Sequence, residues 1–267
     1  MTNYFTKPTA FLAYAVLIIA TFWALFPSLF TSADPTLGTD AALLAPSSQH
    51  WFGTDSVGRD LYTRVVYGAR HSLLGALIAV AVGLVVGTIL GVLAGTLKGA
   101  TDTVLMRLVD VLLSIPSLLL SLSILIIMGF GTTNAAIAVG VTSIALFARL
   151  VRSQVLSVAN SGYVEAAYGL GSSTFRVLTN HILPNSLTPV LALAALQFGS
   201  ALLQLATLGF LGYGTPPPTP EWGLLIADSR AYLATSWWLT LLPGAIIVAV
   251  VLAANHLSHI ITKEAAR

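Results

Sequence analysis

The sequence predicts an all-α membrane protein with six transmembrane helices, and three observations carry this prediction. Of the 267 residues, 56% are hydrophobic and only 8% are charged, and the mean hydropathy is +0.88. Soluble domains usually carry about 25% charged residues. The apolar residues form six runs of about the length needed to cross a hydrocarbon core of about 30 Å as a helix. These runs are continuously apolar without a period of two, which disfavours barrel strands.

The first run, residues 11–30, is interpreted as an uncleaved membrane anchor. A cleaved signal peptide is the alternative, because Thr31, Ser32 and Ala33 resemble a small-residue cleavage site. Apolar regions of signal peptides usually have about 7–15 residues, and this run is longer. The other runs cover 72–97, 104–128, 133–150, 187–208 and 238–261.

The basic residues predict the orientation, because cytoplasmic loops are richer in Lys and Arg than external loops. With both termini in the cytoplasm, eight of the twelve basic residues lie inside, and six of the ten acidic residues lie outside. The organisation is then a cytoplasmic N-terminus 1–10, the first helix, a core 72–261 and a cytoplasmic tail 262–267. Three long connections, external 31–71 and 209–237 and cytoplasmic 151–186, are candidates for function.

Small residues recur at every fourth position of the second run, at Gly75, Ala79, Gly83, Gly87, Gly91 and Gly95. This stripe lets another backbone approach closely. It is interpreted as helix packing, with a sliding surface for conformational change as the alternative. Asp110 is the only charge at membrane depth, and Arg107 is its expected partner one turn earlier. Because a proton relay needs several such groups, an ion-coupled carrier is disfavoured.

The cytoplasmic connection 151–186 is predicted to form a helical elbow. Ser161 is positioned to cap a short helix that has Glu165 in its first turn. Gly171 interrupts the helices, and Pro184 is expected to end a second helix just before the fifth membrane run. Helices that lie on lipid are usually rich in Lys and Arg on their polar face. This elbow is not, so a protein partner is favoured.

The elbow resembles the EAA loop of ABC importer permeases. Glu165-Ala166-Ala167, Gly171 and Leu183-Pro184 reproduce its spacing, and His181 replaces the usual isoleucine, as in the dipeptide, oligopeptide and nickel subfamily. The external stretches 50–60 and 210–223 are similar to that subfamily, as are Asp102, Arg107, Asp110 and Pro116. The resemblance spans nearly the whole chain and is to the C-type permease subunit. The C-terminal residues after Asn255 depart from it.

The resemblance implies a type I ABC importer permease in the bacterial inner membrane. Its partners would be a second homologous permease subunit, two cytoplasmic ATPase subunits and an external solute-binding protein, without nucleic acid. The ATPase would contact Glu165, Ala166, Ala167, Gly171, His181, Leu183 and Pro184; simple surface amphipathicity is the alternative. The sequence lacks G-x-x-x-x-G-K-[ST]. ATP and Mg are therefore expected on the partner ATPases, with no cofactor on this chain.

The external residues expected to face the binding protein are Gly53, Asp55, Gly58, Arg59, Asp60, Pro217, Glu221, Trp222 and Gly223. A structural role is the alternative for those from Gly53 to Asp60, because Asp and Gly close turns. In that case Arg59 pairs locally with Asp55 or Asp60.

Other classes of function are disfavoured. The motifs H-E-x-x-H and G-x-S-x-G are absent from the sequence, which argues against a membrane-embedded hydrolase. Imidazole suits nickel, but His256 and His259 have no carboxylate beside them, so no metal site is expected. The cargo stays open between dipeptides, longer peptides, nickel and metal chelates.

Overall fold

The computed structural model describes residues 8–38 and 41–265, and all regular elements within them are helical. The α-helices are α1 (Pro8–Leu25), α2 (Leu61–Leu97), α3 (Gly99–Ser114), α4 (Ser117–Met128), α5 (Thr132–Ala159), α6 (Gly162–Gly169), α7 (Thr174–Val177), α8 (Leu183–Phe210), α9 (Trp222–Ser229) and α10 (Trp238–Ala265). Short 3-10 turns cover Pro27–Leu29 and Arg230–Tyr232, and a π-helical turn covers Leu178–Ile182.

The described helices include four that are long and apolar enough to cross a membrane. They are Leu61–Leu97, Thr132–Ala159, Thr174–Phe210 and Trp238–Lys263. The bent pair α3 and α4 counts as a fifth if it forms one span, and Thr9–Leu25 is a shorter apolar helix. The all-helical membrane fold is therefore confirmed. Six crossings and cytoplasmic termini remain predictions.

The third predicted run is not one continuous helix. It is divided into α3 and α4, whose axes differ by 97°. Ile115 between them is extended, with φ −91° and ψ 129°. The ring of Pro116 disfavours the α conformation for the residue that precedes it, which accounts for the break.

Helix α2 begins eleven residues before the predicted start at residue 72. Asp60 caps it, because its Oδ1 accepts a hydrogen bond from the backbone N–H of Thr63 at 2.7 Å. The 37 residues of α2 extend over about 55 Å, well beyond a hydrocarbon core of about 30 Å. Part of the predicted external connection is thus the first three turns of α2.

Helix α2 packs along α5, and the small residues of α2 form the contact surface. A Cβ atom at Gly87 would lie 2.5 Å from Phe147 Cβ, and one at Gly91 would lie 2.6 Å from the carbonyl oxygen of Ala148. Only glycine permits this approach. The packing interpretation of the stripe is confirmed, and the sliding surface stays a prediction.

Two ion pairs connect α3 to α5. The carboxylate of Asp102 accepts hydrogen bonds from Nε and Nη2 of Arg152, at 2.5 and 2.6 Å. Asp110 pairs with Arg149 at 2.5 Å. The predicted Arg107–Asp110 pair is wrong, because the packing of α3 on α5 offers Asp110 a cation from the neighbouring helix.

Candidate functional site: the predicted cytoplasmic elbow and external loops

The first arm of the elbow is α6, which follows α5 directly. Val164 is fully buried and Ala167 is 9% exposed, so one side of α6 is packed against the rest of the chain. Glu165 and Ala166 lie on the other side and are exposed. Glu165 is in the first turn of α6, as predicted. Ser161 occupies the cap position without a side-chain cap, since its hydroxyl donates to the carbonyl oxygen of Val158 at 2.6 Å.

The second arm differs from the prediction at Pro184. The helix does not end there but continues from Thr174 to Phe210. A proline inside an α-helix removes a hydrogen bond and clashes with the carbonyl four residues earlier, here that of Asn180. Asn180 lies in the π-helical turn Leu178–Ile182. The wider turn displaces that carbonyl, and the helix passes the proline.

Large apolar side chains are exposed around Glu165. Leu170 is 87% exposed and Phe175 is 76% exposed, and Tyr163 and Tyr168 are about half exposed. We refer to Glu165, Ala166 and these four side chains as the elbow surface. Gly171 joins its two arms with φ +83°, a conformation that glycine adopts at little cost. Where a surface faces water, an exposed apolar patch of this kind marks an interaction site.

The remaining predicted elbow residues lie at the base of this surface. His181 is half-buried, with its ring 6.4 Å from that of Tyr163. Leu183 is half-buried and Pro184 is exposed. Tyr163, Tyr168 and Phe175 are not among the residues predicted from the sequence, because they are not motif positions. The concentration of aromatic residues within ten positions of Glu165 is the signal that could have indicated them.

On the predicted external side, Asp55 organises the loop before α2. Its Oδ2 accepts hydrogen bonds from Arg59 Nε at 2.7 Å and Arg64 Nη1 at 2.8 Å. Its Oδ1 accepts from the backbone N–H groups of Val57 and Arg59 at 3.0 and 2.9 Å. Gly58 turns the chain with φ +78°. The local pairing of Arg59 is therefore with Asp55, which is the structural alternative left open by the sequence.

Asp60 and His50 form a second pair in this loop. His50 Nδ1 lies 2.9 Å from Asp60 Oδ2, and both side chains line an open cavity of about 470 Å³ beside Trp51 and Tyr62. Gly53, with φ +76°, packs against the carbonyl oxygen of Leu44 and the indole of Trp238. Among residues 8–38 and 41–265, no group of three or more His, Cys, Asp or Glu side chains could hold a metal ion.

Glu221, Trp222 and Gly223 anchor α9 to α2. Glu221 Oε1 accepts from the backbone N–H of Gly223 at 2.8 Å, and Oε2 accepts from that of Leu224 at 3.0 Å. Ser72 on α2 donates to Glu221 Oε1 at 3.4 Å. Burial raises the pKa of the Glu221 carboxyl, and the two backbone donors oppose that shift.

The predicted partner contact of these three residues needs a correction. Glu221 is 4% exposed and Trp222 is fully buried, and Gly223 lies against the backbone of Ala206. The three residues are packed inside the second connection predicted to be external and present no surface in this conformation. Pro217 is the exposed member of the predicted set in this connection.

At the opposite end of α9, Asp228 lies near Arg64. The distance between Arg64 Nη2 and Asp228 Oδ2 is 3.9 Å. Burial raises the pKa of the Asp228 carboxyl, and the positive charge of Arg64 opposes this. No sequence pattern indicates this neighbourhood, since the two residues are 164 positions apart in the chain.

A helical bundle with four long apolar helices, a bent helix pair and an exposed elbow is the arrangement of a polytopic membrane protein. Residues 87–265 match the family described as "Binding-protein-dependent transport system inner membrane component". The chain belongs to this family and is a multi-pass inner-membrane protein.

Named relatives cover most of the chain. It is 39% identical over 243 residues to the probable D,D-dipeptide transport system permease protein DdpC of Escherichia coli K12, covering 91% of this chain and 82% of the relative. It is 43% identical over 248 residues to the dipeptide transport system permease protein DppC of Alkalihalophilus pseudofirmus, with coverage of 91% and 82%. The glutathione transport system permease protein GsiD of Shigella flexneri is 42% identical, covering 79% and 69%.

Solved structures share the fold. A chain of the inward-facing MetNI methionine ABC transporter superposes with a TM-score of 0.64 at 19% identity, covering 78% of this chain and 98% of that one. A chain of an amino acid ABC transporter crystallised with histidines gives 0.61 at 18% identity, covering 76% and 94%. The predicted ABC importer permease bundle is confirmed.

Proposed function

We propose that this chain is a permease subunit of an ATP-driven importer for small peptides. The observation that carries the proposal is the elbow surface: an exposed carboxylate among exposed aromatic and aliphatic side chains, held on buried Val164 and Ala167. A transport protein without a phosphate-binding motif of its own needs energy from another subunit. The elbow surface is where an ATPase subunit would deliver it.

The complete transporter would contain this chain, a homologous second permease subunit, two cytoplasmic ATPases and an external binding protein. ATP and Mg would bind to the ATPases, and this chain would carry no cofactor and no catalytic residue. The peptide cargo is supported by the relatives, which are named for D,D-dipeptide, dipeptide, di- and tripeptide and glutathione transport. Nickel has no comparable support among them.

The exposed members of the predicted elbow set, Glu165, Ala166, Gly171 and Pro184, would contact the ATPase. Ala167, His181 and Leu183 would position the arms. On the external side, exposed Pro217 would face the binding protein, and Gly53, Asp55, Gly58, Arg59 and Asp60 would shape the loop beside it. Movement of the elbow would be transmitted to α3 through the pairs Asp102–Arg152 and Asp110–Arg149.

The test is reconstitution of the whole transporter in proteoliposomes with radiolabelled dialanine. Uptake should require ATP on the ATPase side of the membrane and the binding protein on the other side. It should stop when the ATPase phosphate-loop lysine is replaced by alanine. Uptake driven by a proton gradient without ATP would show an ion-coupled carrier instead. ATP-dependent uptake of nickel without uptake of dialanine would support the role as a permease subunit and would contradict the peptide cargo.

A further inference from the structure

The guanidinium of Arg64 is fully buried, yet one of its edges is unpaired. Nη1 donates to Asp55 Oδ2 at 2.8 Å, whereas Nε and Nη2 have no hydrogen-bond partner among the described residues. Nε and Nη2 together form an edge that binds a carboxylate through two parallel hydrogen bonds. A buried donor without a partner is costly. This edge therefore requires a partner.

The space beside this edge excludes most ligands. Arg64, Asp55, Ser56, Asp228, Ser229 and Tyr232 are the polar residues lining a cavity of about 20 Å³. This volume holds about one water molecule, so a peptide terminus does not fit. Asp55 and Asp228 also supply two carboxylates to one guanidinium, and their charge disfavours a third anion. One water molecule can therefore partner this edge while the space is open, and the larger partner that can reach it is a side chain of the protein itself.

Asp228 is the side chain positioned to fill this role. Its Oδ2 lies 3.9 Å from Arg64 Nη2, about 1 Å beyond a hydrogen bond of about 2.9 Å. The first residues of α9 are fixed on α2, because Trp222 Nε1 donates to the carbonyl oxygen of Val65 at 2.9 Å. Asp228 lies in the last turn of this eight-residue helix, about 9 Å along the axis from Trp222. A rotation of about 6° about the anchored end closes a gap of this size over that length.

We propose that Arg64 is a positioning residue for transport, because Asp228 docks on its free edge in the resting state and separates from it during the transport cycle. The structure shows the separated arrangement, with room for one water molecule between the two side chains. Helix α9 then pivots on its Trp222 end, and its Asp228 end approaches or leaves α2. This proposal rests on the proposed function, since it requires an ATP-driven alternation between two states.

Two substitutions at Asp228 should have opposite effects. Asp228→Asn removes the charge at constant size, which weakens the docked state. ATP hydrolysis in the absence of binding protein should rise several-fold. Asp228→Glu adds one methylene, about 1.5 Å, which is enough to close the gap permanently. Both hydrolysis and dialanine uptake should then fall several-fold, while the melting temperature of the complex rises.

A second substitution at Arg64 and a control substitution at another aspartate test whether the effects at Asp228 depend on its contact with Arg64. In an Arg64→Lys background, Asp228→Glu should lose its inhibitory effect, because lysine lacks the bidentate edge. Asp34→Asn is the matched control, since Asp34 is an exposed aspartate of the external side that accepts hydrogen bonds from neighbouring Thr36 and Leu37. It should hydrolyse and transport as the parent does.

Failure of this proposal is distinguishable from failure of the proposed function. If both Asp228 variants change hydrolysis in the same direction, or if neither changes it, Arg64 and Asp228 do not form the proposed contact. The same conclusion follows if Asp228→Glu inhibits equally in the Arg64→Lys background. If the parent complex shows no ATP-dependent uptake of any cargo, the proposed function fails, and the rise in melting temperature for Asp228→Glu still tests the contact.

Discussion

Trp222 and Val65 join the two connections predicted to be external, because the indole Nε1 of Trp222 donates a 2.9 Å hydrogen bond to the carbonyl oxygen of Val65. Trp222 is the largest fully buried side chain of the described residues, and its backbone N–H also donates to the hydroxyl of Ser72 at 3.1 Å. Both partners are on α2. The predicted last external connection is therefore fixed to the N-terminal half of α2.

Truncation of Trp222 should destabilise the chain in two distinguishable steps. Trp222→Phe keeps most of the ring volume and loses the donor, and we expect a cost of about 1 kcal/mol. Trp222→Ala also leaves a cavity, and we expect about 3–5 kcal/mol. Thermal unfolding of the purified protein in detergent measures both. Trp237→Phe is the control at a half-exposed tryptophan; equal losses at the two positions would contradict the anchoring role.

Glu221 should make the stability of the chain depend on pH. Burial raises the pKa of its carboxyl in the folded state, while the unfolded value is about 4.3. The folded state therefore binds the proton more tightly, and this stabilisation is fully present below about pH 4 and is lost as the pH rises through the folded pKa. The melting temperature of the parent relative to Glu221→Gln should fall over that range. A difference that is constant or increases with pH would contradict this.

The close approach of α2 and α5 predicts a steep penalty for a single methyl group. In Gly87→Ala and Gly91→Ala, the new Cβ would meet Phe147 Cβ or the carbonyl oxygen of Ala148 at 2.5 and 2.6 Å, respectively. Relief requires the helices to separate, and we expect a loss of about 1–3 kcal/mol for each. Gly169→Ala is the control, since no atom lies within 4 Å of its Cβ. Unchanged melting temperatures for the α2 variants would show that the helices do not pack this closely.

Long apolar runs and small-residue spacing are sufficient to predict the bundle and the packed face of α2. Both features are properties of the local sequence, and the packing of the helices does not change them. The interpretations that fail concern the environment of single residues. Pro184 carries a helix-ending signal, but the π-helical turn before it removes the clash. Asp110 has a cation one turn earlier in its own helix, yet it pairs with Arg149 on α5.

The external site shows the same limit of sequence reasoning. The motif around Glu221 and Trp222 is visible in the sequence, and its position in an external loop suggests contact with a partner. Both side chains are buried because α9 packs against α2, and no local sequence pattern predicts that packing. Asp55 is different, because its turn-forming neighbours are close in sequence, and the sequence alone therefore indicates the structural alternative.

The elbow surface predicts that two variants uncouple hydrolysis from transport. Glu165 is exposed, so Glu165→Lys should leave folding and membrane insertion intact while reversing the charge presented to the ATPase. Gly171 has φ +83° and open space around it, so Gly171→Val strains the joint between the arms by about 1–2 kcal/mol and changes their relative direction.

In reconstituted transporter, we expect both elbow variants to retain ATP hydrolysis and to lose most dialanine uptake. The ratio of peptide transported to ATP hydrolysed is the measurement, because a folding defect would lower both quantities together. Asp34→Lys provides the matched charge reversal at an exposed aspartate away from the elbow and should keep the parental ratio. A parental ratio in both elbow variants would mean that the ATPase drives this chain through another surface.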